Sequence, residues 1–308
     1  EVHSYRYGRT DVYWHTAELT GLEPNTIYHY RVGTSEPWQS ENYTFKTGIP
    51  EGDDTPFRIA VITDTHGHHD NQKKVLEAIK EENVDFILGL GDFTDTGNQV
   101  EWDTWFSAGE GLLSEMPFIS VHGNHEGNQT TYWEQFAYPG NEKWFSIDYG
   151  NVHLVFLMAA SEPLAVEQVP WIQQDLQANN NPWTIAMGHI PLYSAGLNHG
   201  SSDYLIAHWA SIFDEHGVNL YLAGHNHCYE RSLPVKDGRV DAEGVMYITH
   251  GPVGEKLYAV GQEWWTDVAI ENVSMYVLYS VEGSQIKGTA KALDGSILDE
   301  FVLEHPSF

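Results

Sequence analysis

The chain is poor in cysteine and in basic residues, and both shortages restrict what it can do. Among 308 residues Cys228 is the single cysteine, so no disulfide can form within the chain. Lys and Arg number 15 against 44 Asp and Glu, giving a formal net charge of −29. Proteins that bind nucleic acid present a basic surface to the phosphate backbone. The composition therefore argues against a nucleic-acid partner.

Long hydrophobic runs are also missing. There is no stretch of about 18 apolar residues, so no transmembrane helix is predicted. The first residues show no signal-peptide pattern. The length is ample for a buried core and favours one large domain or two unequal ones.

The first 48 residues alternate apolar and polar side chains between turn signals, which is typical of antiparallel strands. Leu22, Pro24 and Tyr28 have the spacing of a tyrosine corner, in which a tyrosine hydroxyl ties a strand to the preceding loop. A complete sandwich needs about seven strands, more than this segment holds. We therefore expect a partial, fibronectin III-like β-sandwich over residues 1–48 and a polar linker over 49–56. The predicted strands are Val12–Leu19, Ile27–Val32 and Tyr43–Thr47.

From residue 57 the pattern changes to apolar runs separated by helical periodicity. This order predicts a layered α/β sandwich with two central sheets over residues 57–308. The predicted helices are Asn71–Glu82, Val166–Ala178 and Asp203–His216. The predicted strands are Phe57–Thr63, Phe86–Leu90, Phe118–Val121, Trp144–Tyr149, Val152–Met158, Trp183–Met187, Val218–Ala223, Tyr276–Val281, Gln285–Ala292 and Ile297–Leu303.

Five of these strands are followed at once by residue types that bind metals. The segments are Asp64–His66, Gly91–Asp95, Gly123–Glu126, Gly188–His189 and Gly224–His227. Sites in open α/β sheets form beyond the carboxyl ends of strands. In extended backbone, residues two apart face the same way, so each Asp-x-His or His-x-His pair is expected to point into one space. The glycines are expected to allow sharp turns there.

The chemistry of these side chains favours a pair of metal ions. Imidazole and carboxylate groups suit Zn, Fe or Mn, and thiolate is absent apart from Cys228. One shared carboxylate would leave each ion a partly open shell. Two ions about 3.5–4 Å apart can generate a hydroxide nucleophile and clamp a phosphoryl group. The sequence thus predicts a two-metal hydrolytic site, with Cys228 as a buried filler beside it and His153 as a hydrogen-bonded core residue.

The full set of motifs resembles the calcineurin-like metallophosphoesterase superfamily, and the N-terminal segment with the later motifs resembles its purple acid phosphatase branch. The resemblance implies an α/β/β/α sandwich that hydrolyses phosphoesters without a covalent enzyme intermediate. It implies that Asp92 bridges two metal ions. The first ion would be held by Asp64, His66 and His227, and the second by Asn124, His189 and His225.

The resemblance also implies catalytic roles. His125 would lie over the substrate, stabilise phosphoryl oxygens and assist proton transfer rather than bind metal. His199 ends a stretch starting at His189 that matches the plant pattern, and it would protonate the leaving alkoxide. Five further residues are expected beside the ligands or in the substrate pocket: Asp95, Glu126, Tyr193, Tyr229 and Arg231.

Two positions depart from the purple acid phosphatase pattern. That branch has glycine at the position of His66 and, at Asp95, the tyrosine that colours its iron site. We therefore expect a colourless or weakly coloured protein, with His66 as a ligand that Asp95 orients. A second histidine of the plant pattern is replaced by Asn198.

The resemblance favours phosphomonoesters as substrates, while His66 and Asp95 keep a phosphodiesterase open. A third possibility is a binding or adhesion module with a vestigial site, which would lack at least one metal. The expected partner is a small phosphoester, and the layout implies secretion or a periplasmic location by analogy. The sequence leaves the metal identities and the oligomeric state open.

Overall fold

The computed structural model describes residues 2–7, 10–33, 42–127, 130–254 and 256–305. Its N-terminal part consists of two antiparallel pairs. Strand β1 (Val2–Tyr7) pairs with β2 (Thr10–His15), and β3 (Ile27–Tyr30) pairs with β4 (Tyr43–Lys46). The backbone N–H of Glu23 donates to the Tyr28 hydroxyl at 2.8 Å, which is the contact that the tyrosine-corner spacing predicts.

The second of these pairs lies against the rest of the chain. The Tyr30 hydroxyl donates to the carbonyl oxygen of Ser114. The backbone N–H and the hydroxyl of Thr44 both donate to Glu115 Oε1 at 3.0 Å. These contacts fix the β3–β4 pair to the segment that ends just before Phe118.

A six-stranded sheet forms the first half of the main domain, in the order β19-β18-β17-β5-β6-β7. The three strands that lead into ligand motifs run parallel: β5 (Phe57–Ile62), β6 (Phe86–Gly89) and β7 (Phe118–Ser120). The three C-terminal strands form the expected antiparallel meander: β17 (Met275–Glu282), β18 (Gln285–Ala292) and β19 (Ile297–Glu304).

A seven-stranded sheet faces it, in the order β16-β12-β15-β11-β10-β9-β8. Its strands are β8 (Phe145–Tyr149), β9 (Val152–Phe156), β10 (Trp183–Met187), β11 (Leu220–Ala223), β12 (Tyr229–Ser232), β15 (Met246–Thr249) and β16 (Thr266–Ile270). The four central strands β9, β10, β11 and β15 are parallel, and antiparallel strands flank them. A small hairpin of β13 (Val235–Lys236) and β14 (Arg239–Val240) projects from this sheet.

Helices cover the outer faces of both sheets. They are α1 (His69–Lys80), α2 (Gln99–Ala108), α3 (Thr131–Gln135), α4 (Glu162–Ala178), α5 (Asp203–Leu205), a π-helical turn (Ile206–Ala210) and α6 (Ser211–His216). None of the described helices is long and apolar enough to cross a membrane.

Alternation along the strands separates the layers. On β5, Ile59 and Val61 belong to the core between the two sheets, whereas Ala60 and Ile62 pack with Val75 of α1. This period of two, with both faces buried, produces the continuous apolar runs of the sequence. The predicted α/β/β/α sandwich is therefore confirmed.

Several elements escaped the sequence analysis, among them α2, α3 and the strands from β12 to β16. Trp102 and Trp105 of α2 are fully buried with Phe93 and Tyr132. Their burial comes from aromatic packing between segments and not from a clear apolar stripe, so helical periodicity is weak there.

Candidate metal centre

All five ligand motifs lie at one edge of the two sheets, beyond the carboxyl ends of parallel strands. Strands β5, β6 and β7 of the six-stranded sheet lead to Asp64, Asp92 and Asn124. Strands β10 and β11 of the seven-stranded sheet lead to His189 and His225. The site therefore lies where the two sheets meet, as the position of the motifs predicts.

The backbone at the motifs is not the extended conformation that the sequence analysis assumed. Left-handed φ angles occur at Asp64 (50°), His66 (46°), Asp92 (53°), His225 (69°) and His227 (46°). The paired side chains converge because tight turns follow the strands, not because alternate residues of a strand share a face. Such angles are unfavourable for these residue types and are typical of functional sites.

Two glycines allow these turns to approach each other. A Cβ atom on Gly123 would lie 2.2 Å from the backbone nitrogen of Asp92. A Cβ atom on Gly224 would lie 2.2 Å from the Thr63 hydroxyl and 2.5 Å from Asp64 Oδ2. A larger residue at either position would push the ligand turns apart.

The first group of ligand atoms comprises Asp64, His66 and His227, all buried. Asp64 Oδ1 lies 3.2 Å from His227 Nε2 and 3.7 Å from His66 Nε2. The two Nε2 atoms lie 3.1 Å apart. The three donor atoms are within 4.8 Å of one another and surround a space that suits one cation.

The second group comprises Asp92, His189 and His225, with Asn124 beside them. His189 Nε2 lies 3.1 Å from Asp92 Oδ2, 3.0 Å from Asn124 Oδ1 and 3.2 Å from His225 Nδ1. The same Asp92 oxygen is 3.5 Å from His66 Nε2 in the first group. Asp92 therefore stands between the groups, where a bridging carboxylate belongs.

Three of the histidines are oriented in the same way. The Nδ1 atom of His66 contacts Asp95 Oδ1 at 3.2 Å, that of His189 contacts the Leu90 carbonyl at 2.7 Å, and that of His227 contacts the Lys256 carbonyl. Each contact places the ring proton on Nδ1, so the lone pair of Nε2 points into the cluster. Metal-binding histidines in proteins are held in this way.

The donor set fits metal ions. The Nε2 atoms of His66 and His227 bring two lone pairs to 3.1 Å, an arrangement that repels unless a cation or proton lies between them. Asp64 Oδ1 is buried and accepts no hydrogen bond in the described residues, although it faces both rings. Carboxylate, imidazole and amide oxygen are ligands of Zn, Fe and Mn.

The charges of the cluster act strongly on His189. Burial alone would lower its pKa, but the carboxylates of Asp92 and Asp64 outweigh burial and raise the pKa to about 10. Burial and the charge of His189 lower the pKa of His225 to about 3. Because a metal must displace the proton of His189, metal affinity is expected to fall as the solution becomes acidic.

His125 lies at the edge of the cluster and is half-buried. Its backbone N–H donates to Asp92 Oδ1 at 2.7 Å, and its Nδ1 atom contacts the Asp95 carbonyl at 2.9 Å. Its ring meets that of His66 edge to face at 4.4 Å. A ring nitrogen of His125 also lies within 4.8 Å of possible ligand atoms of His66 and Asp92, so the ring is at the metal centre itself.

His199 lies on the exposed rim of the site. Its ring centre is 4.4 Å from that of His225 and 5.6 Å from that of Tyr258. Burial and the positive charges of His227 and Lys256 lower the pKa of His199. A lowered pKa makes the protonated ring a stronger acid, present mainly in acidic solution.

Glu126 and Asp95 support the ligand turns. The buried carboxylate of Glu126 accepts backbone N–H groups of Asp92 at 2.9 Å, Phe93 at 2.8 Å and Gly123 at 2.9 Å. Burial and the charge of Asp92 raise its pKa to about 7. Asp95 meets His66, as expected of a residue that orients a ligand.

The other three residues expected beside the ligands or in the substrate pocket make contacts with residues outside the ligand groups. Tyr193 packs edge to face on Tyr247 at 4.7 Å. The Tyr229 hydroxyl donates to Asp299 Oδ2 at 2.8 Å, and Arg231 Nε donates to the same oxygen at 2.7 Å. Tyr229 and Arg231 therefore connect β12 to β19. They follow the ligand motif directly in sequence, and the hydrogen bonds of their side chains are made to β19 and to Asp267.

Two residues near the ligands were missed. Tyr258 stacks on His227 with ring centres 4.5 Å apart and an interplanar angle of 11°. The Lys256 ammonium lies 5.5 Å from the centre of the Tyr258 ring. Both follow the carboxyl end of β15, at the same edge as the ligand motifs, and the glycines at 251 and 254 were the available signal.

Two remaining expectations concern residues outside the ligand groups. Cys228 is buried beside the site, and burial raises the pKa of its thiol to about 12, so the thiol stays protonated. His153 is hydrogen-bonded through both ring nitrogens, to Asp148 at 2.7 Å and to Asp175 at 2.9 Å. Neither belongs to the described ligand groups.

The family assignment agrees with this geometry. The model of the calcineurin-like phosphoesterase family matches residues 57–229, more than half of the chain. The chain belongs to the calcineurin-like phosphoesterase family. It is accordingly a phosphoester hydrolase with a dinuclear metal centre. Residues 1–47 match the N-terminal domain of purple acid phosphatases, so the resemblance drawn from the motifs is confirmed.

Comparison with individual proteins also shows similarity to acid phosphatases. The chain is 28% identical to acid phosphatase type 7 of Homo sapiens, over 97% of this chain and 79% of that protein. It is 28% identical to purple acid phosphatase 23 of Arabidopsis thaliana, over 78% of this chain and 62% of that protein. The fold is similar to that of a purple acid phosphatase from yellow lupin (Lupinus luteus), with a TM-score of 0.80 and 20% identity over 93% of this chain and 61% of that one.

Proposed function

We propose that the chain hydrolyses phosphomonoesters with the two groups of ligands described above. The first cation would be held by Asp64, His66 and His227, and the second by Asn124, His189 and His225, with Asp92 between them. The observation that carries the proposal is the shared orientation of His66, His189 and His227, whose Nε2 atoms all face the two carboxylates. When bound, the two ions would supply an activated water and neutralise phosphoryl charge.

His125 and His199 would carry out the other two steps, charge stabilisation and proton donation. His125 Nε2 would donate to a phosphoryl oxygen and stabilise the charge that develops in the transition state. Water adds its oxygen to phosphorus as the bond from phosphorus to the alcohol oxygen breaks. His199 would give its proton to the oxygen of the departing alcohol, so the products are inorganic phosphate and the alcohol.

Two other functions are alternatives to phosphomonoester hydrolysis. A phosphodiesterase is favoured by the contact between His66 and Asp95, two positions at which the chain departs from purple acid phosphatases. A binding module with a vestigial site would hold fewer than two metals per chain.

The deciding experiment compares kcat/KM for p-nitrophenyl phosphate and bis-p-nitrophenyl phosphate on protein reloaded with Zn, Mn or Fe. We expect two metals per chain, a preference of at least about tenfold for the monoester, and no tyrosinate–iron band in the visible spectrum. A preference for the diester would select the phosphodiesterase, and the absence of one metal with no turnover would select the vestigial module. The metals that give the highest kcat/KM are the candidates for the physiological pair.

We also propose the domain division 1–48, 49–56 and 57–308, with a partial fibronectin III-like sandwich first. The tyrosine-corner contact and the two family matches support it. A location outside the cytoplasm, by secretion or in the periplasm, is proposed from the similarity of residues 1–47 to the purple acid phosphatase N-terminal domain. Cell fractionation with activity staining tests this location.

A further inference from the structure

A pocket of about 410 Å³ opens beside the metal centre, and His225 and His199 form the wall it shares with that centre. Ser201, Asp203 and Tyr204 form much of the remaining wall. Because His225 belongs to the second ligand group and His199 would protonate the leaving alcohol, the pocket adjoins the side of the site from which that alcohol would leave.

Hydrogen bonds hold the walls of the pocket in place. The Ser201 hydroxyl accepts from the backbone N–H of Ser194 at 3.0 Å, and the Tyr204 hydroxyl donates to the Ala159 carbonyl at 2.9 Å. The Asn226 amide donates to the Gly200 carbonyl at 3.2 Å. Asn226 lies between His225 and His227 in sequence, so this hydrogen bond links the pocket wall to the segment that carries two proposed ligands.

The described lining of the pocket contains one acidic side chain, that of Asp203. Asp203 presents an exposed carboxylate in the pocket wall, and the charge of Glu162 acts on Tyr204. Among the described residues that line the pocket there is no lysine or arginine. A leaving group with a negative charge of its own would meet repulsion from Asp203, while the proton of His199 is directed to the ester oxygen and not to the rest of the leaving group.

We propose that this pocket binds the leaving group and selects phosphomonoesters of small uncharged or cationic alcohols over those whose alcohol carries further negative charge. The proposal rests on the proposed phosphomonoesterase function. Asp203 is its specificity-determining residue. The Asp203 carboxylate can accept hydrogen bonds from hydroxylated or amino alcohols.

The first test compares three phosphomonoesters on the metal-loaded enzyme: phosphoethanolamine, glycerol 2-phosphate and 3-phosphoglycerate. We expect kcat/KM to be at least about tenfold higher for phosphoethanolamine than for 3-phosphoglycerate. Asp203→Asn should narrow this ratio about fivefold, since it removes the charge and keeps the shape. Asp54→Asn, at an exposed position in the linker, removes one negative charge as well and should leave the ratio of the two kcat/KM values unchanged.

A binding measurement separates this proposal from the proposed function. Calorimetry on the Zn-loaded protein compares 2-aminoethylphosphonate with 2-carboxyethylphosphonate, which are not hydrolysed and differ in the charge of the tail. We expect tighter binding of the amine, a difference that Asp203→Asn and 0.5 M NaCl both reduce. Equal reductions in the Asp54→Asn control, or an unchanged ratio in Asp203→Asn, would overturn the pocket assignment. Selective binding without any turnover would support the pocket and contradict the hydrolytic function instead.

Discussion

At the scale of single residues, the metal centre depends on side chains that are held in place by hydrogen bonds. The ligand histidines use one ring nitrogen for such a bond and direct the other into the cluster. His66, His189 and His227 each give Nδ1 to an oxygen. The Glu126 carboxylate accepts four backbone N–H groups, those of Asp92, Phe93, Thr94 and Gly123. These bonds offset the unfavourable left-handed angles of the turns, each of which costs about 1–2 kcal/mol. His125 also gives Nδ1 to an oxygen, the Asp95 carbonyl, but its own hydrogen bond to a proposed ligand is made by its backbone N–H, which contacts Asp92.

This difference predicts the behaviour of His125→Ala. The variant should keep about two metals per chain, since the contact of its backbone N–H with Asp92 remains. The loss of Nε2 should reduce kcat about 100-fold or more, because a positioned proton donor usually accelerates a reaction by about that factor. Metal analysis and steady-state kinetics measure the two effects.

His216→Ala, at the end of α6, is the matched control and should change neither quantity. Loss of metal from His125→Ala in proportion to its loss of activity would instead make His125 a ligand.

At the scale of elements, side-chain bridges fix the strands that end at the site. His153 on β9 contacts Asp148 of β8 and Asp175 of α4, so one imidazole joins two strands and a helix. Burial alone would lower the pKa of His153, but hydrogen bonds to Asp175 and Asp148 outweigh burial and raise it. The charged ring therefore stabilises the folded state.

The sign of this shift sets the pH dependence. A folded pKa above the unfolded value of about 6.5 contributes stability that is complete below pH 6.5 and is lost as the pH rises through the folded pKa. His153→Gln should therefore lower the free energy of unfolding by about 1–2 kcal/mol more at pH 5.5 than at pH 9. Urea denaturation of the metal-free wild type and variant at both pH values tests this.

A loss of equal size at the two pH values would mean that the ring acts only by packing. Measuring the metal-free forms removes the separate effect of pH on metal affinity.

At the scale of the whole molecule, the metal centre joins two sheets. Asp64, His66, Asp92 and Asn124 come from the six-stranded sheet, and His189, His225 and His227 from the seven-stranded one. Each candidate ion would therefore link both halves of the sandwich, and its binding would add to the free energy of folding.

Chelation should consequently destabilise the fold. Removal of metals present at 1,000 times their dissociation constant should cost about 4 kcal/mol per site and lower Tm by about 10 °C or more. Calorimetry with and without a chelator measures the shift. Asp92→Ala, which removes the carboxylate between the two groups, should show the low Tm from the start and no response to the chelator. A chelator effect of the same size in Asp92→Ala would show that the ions bind elsewhere.

The sequence by itself determined the sandwich and the order of its main elements, and it named the seven residues proposed as metal ligands. These follow from local patterns, namely apolar strands of period two and polar motifs at their ends. Only the tertiary structure decided the left-handed turns, the approach of Tyr258 and Lys256, the distant network of Tyr229 and Arg231, and the pocket beside His199. Each of these depends on contacts between distant segments, as His66 and His227 show by meeting across 161 positions of the chain. A local pattern can name such residues, but packing between the sheets sets which of them meet.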